Sequence, residues 1–188
     1  MKRMYRKTAG WLLAGITVLM VTTACDELMD DLSEVQIKVP MQRQVFSLDS
    51  TLNFQKIAPV ILYQYHVNIN IDSLLNEQGV NMVSHAAISE VTLGMVEEGE
   101  WLLSYVKSAK VTVSDFEDFS DEVEVACTTS NIKPEANTVQ LATHNLNIAQ
   151  KMMQDGIFIR IYGVPSMPFK GNKKMFVKGM ITLDLDSL

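Results

Sequence analysis

Cysteine is scarce, with only Cys25 and Cys127 in 188 residues, which excludes a scaffold stapled by several disulfides. Three histidines, His66, His85 and His144, stand apart in sequence, without the paired His or carboxylate spacing that hydrolytic chemistry usually uses. Missing too are a Gly-x-Ser-x-Gly elbow, a Walker loop, a His-Glu-x-x-His helix, a Cys-x-x-Cys pair and a glycine-rich dinucleotide turn. None of the enzyme classes that depend on those motifs is therefore indicated. The methionines form no Met-x-Met series of the copper-binding kind and suit irregular core filling. A basic patch is also lacking, and the formal charge is −6. That balance disfavours nucleic acid and anionic head groups, whose phosphates are held by clustered Lys and Arg. No apolar run reaches the roughly 20 residues that a spanning helix needs; Trp11–Val21 is about half that length.

That short run has a definite setting. Lys2, Arg3, Arg6 and Lys7 precede it without an acidic residue, and the small residues Thr22, Thr23 and Ala24 lead from it into Cys25. Basic, apolar and small segments in that order are a secretory signal. A small residue directly before a cysteine at the end of such a run resembles the lipobox of bacterial lipoproteins, although Thr22 stands where the usual pattern has Leu. The resemblance implies acylation of the Cys25 thiol and cleavage before it. Residues 1–24 are then the signal, 25–34 a lipidated cysteine with its tether, and 35–188 one domain. Each buried methylene contributes about 0.8 kcal/mol, so two or more palmitate-like chains on Cys25 hold a protein to a bilayer durably where one does not. Two other readings stay open: an ordinary signal peptide that happens to end at a cysteine, and an uncleaved signal anchor.

Without the four basic residues of the signal, 12 Lys+Arg face 22 Asp+Glu, and the formal charge falls from −6 to −10. The length beyond residue 24 is that of one ordinary domain. Acylated Cys25 leaves Cys127 without an internal partner. In Glu122–Cys127, alternation puts Cys127 on one face with Val123 and Val125, so it reads as a small buried hydrophobe and not as a reactive thiol. Asp26–Ser33 (DELMDDLS) is an acidic tether. Acidic residues right after the lipidated cysteine resemble the surface-export signal of Bacteroidetes lipoproteins. In enteric bacteria an Asp there instead resembles an inner-membrane retention signal, and a solvated linker is the third reading.

From Val35 onward the dominant signal is period two, the mark of half-buried strands. Val35, Ile37 and Val39 alternate with polar residues until Pro40, where the run is expected to stop; Tyr63, Tyr65, Val67, Ile69 and Ile71 form the cleanest amphipathic strand. His66 falls on its polar face as a solvated histidine. Further strands are expected at 45–48, 91–96, 109–113, 123–128, 138–143, 157–162 and 175–185. Helical signals are short: 72–78, ended by Gly79; 101–107; and 147–155, with Asn147 as cap and Gly156 as stop. About nine strands with one apolar face each must stack in two layers, so the expected fold is mainly β: a two-sheet antiparallel sandwich of immunoglobulin-like type with two or three short helices.

The order of landmarks, Cys25, the acidic tether, Ile71–Gly79, Trp101–Val113 and a last long strand at Met175–Leu185, resembles a class of small Bacteroidetes lipoproteins with no assigned activity. The resemblance brings no catalytic residues. Two clusters stand out among the polar and loop residues. Asp115, Glu117, Asp118 and Asp121 could supply several of the six to eight oxygens that calcium takes, but they lack EF-hand spacing, and a solvated charged loop explains them as well. Pro165, Met167 and Phe169 lie in a proline-restricted loop before the last strand; a rigid apolar tip loses little entropy on binding, and packing back over the sandwich end is the alternative. The expectation is thus a non-enzymatic lipoprotein of the outer membrane, surface-exposed, without cofactor, attached to the membrane through Cys25 and meeting a protein or glycan partner. The alternatives are a periplasm-facing accessory subunit of an outer-membrane complex and a hydrolase on a β scaffold, the latter requiring His66, His144 and Asp115 to meet in a cleft.

Overall fold

Alternating apolar residues become strands in nearly every place that the pattern marks. The computed structural model describes residues 34–49, 58–79, 82–128, 133–152, 156–166 and 171–186. Cys25, the acidic tether, Met167 and Phe169 lie outside these. The strands are β1 (Glu34–Leu48), β2 (Val60–Val67), β3 (Met82–Met95), β4 (Val106–Ser114), β5 (Val123–Cys127), β6 (Thr138–Gln140), β7 (Ala142–Thr143), β8 (Ile157–Pro165) and β9 (Lys173–Asp186). Among the described residues, two helices, α1 (Ile71–Gln78) and α2 (Ala149–Met152), and a 3-10 turn at Leu102–Ser104 connect them. One sheet runs β1-β9-β3-β6 and the other β2-β8-β4-β5-β7, and every pairing is antiparallel.

The inward faces of the two sheets make one core. Ile157, Ile159 and Ile161 on β8 and Ile181, Leu183 and Leu185 on β9 are fully buried in it. At the β1/β2 edge the layers are tied by a stack of rings, with Phe46 on Tyr63 at 4.8 Å and Tyr63 on Tyr65 at 5.6 Å. The expected two-sheet sandwich is therefore what forms, compatible in its layers with an immunoglobulin-like domain. Its wiring is nested: β1 pairs with β9, β2 with β8, β3 with β6 and β4 with β5. One long antiparallel ribbon is thus rolled up until β9 meets β3 and β8 meets β4, the arrangement of a double-sheet jelly roll. Strand β7 is an addition at the outer edge, beside β5.

Several local features depart from simple alternation. Pro40 does not stop β1; it stays in register opposite Met180, because β1 is an edge strand and the missing N–H would face away from the ladder. A one-residue bulge between Met41 and Gln44 re-phases the strand, so Phe46 and Leu48 point inward and Val45 is left half exposed. Strand β3 extends back from the expected 91–96 to Met82, and its bulges after Val83 and Ile88 break the period-two pattern that would have marked it. The run expected to stay extended to Ile71 leaves β2 at Val67, and Ile71 opens α1. There the Asn70 side chain accepts from the Ser73 N–H at 2.9 Å, and Gly79 closes the helix at φ 66°. Asn147 accepts from the N–H groups of Ala149 (2.9 Å) and Ala86 (3.1 Å), which caps α2 and fastens it to β3. Among the described residues, no helix is long and apolar enough to cross a membrane.

Candidate functional site

The outer face of the five-stranded sheet carries a group of charged, thiol and aromatic side chains, and a bulge in β5 places two of them, Glu124 and Cys127, side by side. Thr112 pairs with Glu124, but Val111 pairs with Ala126, so Val125 is an extra residue on β5. Beyond it the side chains exchange faces: Val125 and Ala126 are both buried, and Cys127 emerges half-buried on the outer face beside exposed Glu124. This corrects the expectation that Cys127 shares the core face of Val123 and Val125. A single inserted residue reverses every side chain after it.

The residue just after strand β7 supplies the third member, His144. Ala126 and Cys127 pair with Thr143 and Ala142, and the His144 N–H donates to the Val125 carbonyl at 2.9 Å. This holds the His144 ring over β5, with Nε2 3.2 Å from Glu124 Oε1. Lys110 lies 3.5 Å from the other carboxylate oxygen, Glu124 Oε2. One ligand atom each from Glu124, Cys127 and His144 lies within 4.8 Å of the other two. The cluster borders a depression of about 200 Å³ lined by Lys110, Glu124, Cys127, Thr128 and Tyr162, among others.

Next to it runs a hydrogen-bonded row. Tyr162 donates to Glu122 Oε2 at 2.9 Å, Thr112 donates to the same oxygen at 3.1 Å, and Arg160 Nη2 donates to Gln64 Oε1 at 3.1 Å. The Arg160 guanidinium lies 3.6 Å from the Phe119 ring centroid, a cation–π contact. The Lys110 ammonium is 5.0 Å from the centre of the Tyr162 ring. The face therefore offers hydrogen-bonding groups of both signs around two rings.

The residues singled out from sequence have separate fates. Asp115 and Asp121 both reach Lys151 on α2, Asp115 at 3.1 Å, and Asp121 also accepts from the Ser114 hydroxyl. Asp118 accepts from the Ser120 N–H at 2.9 Å, and Glu117 is exposed. The two inward carboxylates of the acidic loop thus clamp the loop to α2 through an ammonium. Pro165 is buried as the last residue of β8, opposite Val106. His66 lies against Phe158 (4.6 Å between ring centres), His144 against Glu124 and Asp115 against Lys151, so the three have three different partners. The Glu124–Cys127–His144 cluster was missed in the sequence. The only trace of it there is the apolar doublet Val125-Ala126, which interrupts strict alternation just before Cys127.

The clamp sets a pH dependence. Hydrogen bonds from Lys151 and then Ser114 lower the Asp121 carboxyl to about 2. Burial pushes the Lys151 ammonium down, but its bonds to Asp121 and Asp115 outweigh that and leave it raised. A carboxyl depressed in the folded state stabilises it above the unfolded value of about 3.9, and that contribution is lost as pH falls towards the folded value. Lys151→Met is expected to cost about 1–2 kcal/mol at neutral pH. The gap to wild type should shrink as pH drops from about 4 towards about 2, measured by urea midpoints across that range.

Comparison with known proteins places the chain in no family: no family model matches it, and no curated protein matches it. Among solved structures it is similar to that of Desmodium yellow mottle tymovirus, at 12% identity over 82% of this chain and 84% of that one, with a TM-score of 0.28. Turnip yellow mosaic virus gives 11% identity over 82% and 96% of the two chains, with a TM-score of 0.21. Similarity at that level says nothing of function.

Proposed function

We propose that the chain is exported, lipidated on Cys25 and held at the outer membrane, where its sandwich serves as a non-enzymatic binding or assembly module facing the cell exterior. The observation that carries this reading is the order Lys2–Lys7, Trp11–Val21, Thr22–Ala24 and Cys25, a basic, apolar and small sequence ending at an acylatable thiol. The binding role draws support from the outer face of the five-stranded sheet. Arg160, Tyr162, Lys110 and Glu122 there present charge and aromatic surface together, a combination suited to a protein or glycan partner. Acidic residues after Cys25 support the outward-facing address.

The test is the mass of the N-terminal peptide recovered from membranes, together with protease shaving of intact cells. Diacylglyceryl or triacyl Cys25 and loss of the domain on shaving are expected. Cys25→Ser should abolish both the acyl mass and the cut before residue 25. An unmodified N-terminus would overturn the lipid anchor. A lipidated domain that resists shaving would instead favour an accessory subunit facing the periplasm.

A further inference from the structure

We propose that Glu124, Cys127 and His144 form a binding site for a divalent metal ion of the zinc class, beside the depression that Glu124 and Cys127 line. The site requires only the folded sandwich and does not depend on the lipid anchor. Three different donor types, carboxylate oxygen, thiolate sulfur and imidazole nitrogen, meet with their ligand atoms within 4.8 Å of one another. Ligands of a tetrahedral zinc ion stand about 3.5 Å apart, so small side-chain rotations close the triangle. A thiolate with an imidazole selects zinc over the hard cations calcium and magnesium, which take oxygen ligands.

The backbone that carries these donors is held in the sheet. Glu124 and Cys127 share a face only because of the Val125 bulge, and the His144 N–H is bonded to the Val125 carbonyl. Lys110 sits at Glu124 Oε2, which leaves Oε1, the oxygen next to His144, to face the metal.

The same three residue types also make a nucleophilic triad, and the geometry decides between the two. In a triad the imidazole stands between nucleophile and carboxylate. Bonds of about 3 Å to its two nitrogens then place sulfur and oxygen roughly 7 Å apart. Here sulfur and oxygen are no farther apart than 4.8 Å, which is a triangle around a point and not a relay. Cys127 ligates as the thiolate, so metal binding takes the proton from its thiol.

The test uses the full-length, tag-free protein in detergent, titrated with Co²⁺ and then Zn²⁺. Cobalt should give a thiolate charge-transfer band that zinc abolishes, with a zinc Kd on the order of micromolar. Cys127→Ser should remove the band, His144→Ala should weaken zinc binding at least tenfold, and His66→Ala should change neither. Absence of the band at millimolar cobalt, or zinc affinity unaltered by both ligand substitutions, would overturn the proposal. If Cys127→Ser fails to fold, His144→Ala and Glu124→Gln, both at exposed positions, decide it: a zinc affinity unchanged in both sinks the site.

Discussion

Gly156→Ala is expected to cost the fold about 4 kcal/mol and to lower Tm by roughly 10 °C. Gly156 sits at φ 99°, just before β8, where an added Cβ would lie 2.0 Å from the Val67 carbonyl oxygen and 2.9 Å from the Asn68 Cα. Both obstacles are backbone, so no rotamer change relieves them, and Ile157 must stay paired with Val67 to start the β2–β8 ladder. Positive φ accounts for about 1–2 kcal/mol of the cost; displacement of the strand supplies the rest. Gly79→Ala separates the two contributions. Gly79 has φ 66°, but nothing lies within 4 Å of its added Cβ, so that variant should lose only about 1 kcal/mol. Equal urea midpoints for the two variants would show that the approach of Val67 to Gly156 carries no weight.

Ile161→Ala should cost about 3–4 kcal/mol, and Ile161→Val about 1. Ile161 is fully buried at the centre of β8, between Tyr63 on β2 and Val111 on β4. Both neighbours are held by ladders, and Val111 is β-branched and stiff at χ1. The space left by a truncated side chain therefore cannot close by collapse. Chemical denaturation with an unchanged m-value is the expected signature; a loss below about 1 kcal/mol for the alanine variant would mean that the two sheets move together to fill the gap.

Most of the fold was legible because burial on one face writes itself as alternation. Strand β8 and the second half of β9 show this best, since buried and partly buried residues alternate there without interruption. Legibility failed where an inserted residue shifted the phase. Ala86, Ala87 and Ile88 are buried in succession on a bulged stretch of β3 and spell no period at all. Pro40 reads as a stop in the sequence but lies within β1, because a proline's effect depends on whether its strand is an edge, which only the assembled sheet decides. The nested strand order is a matter of long-range pairing and leaves no mark on local pattern. The candidate site fared worse for the same reason: Cys127 and His144 are brought together by a bulge and by the two-residue strand β7, and neither has a propensity signature. The acidic loop was visible, but its counter-ion, Lys151, comes from a helix thirty residues on.

The rolled ribbon also has a kinetic side. Because β1 closes against β9, a hydrogen bond such as that from Gln36 to Asp184 spans 148 positions, and neither the outermost pair nor the β2–β8 pair can form until the final third of the chain is present. Loop-closure entropy must be met before those contacts return anything, so such topologies fold slowly. A polypeptide synthesised from its N-terminus emerges with its first strands still waiting for their partners, so completion of the domain is delayed until the last strand arrives.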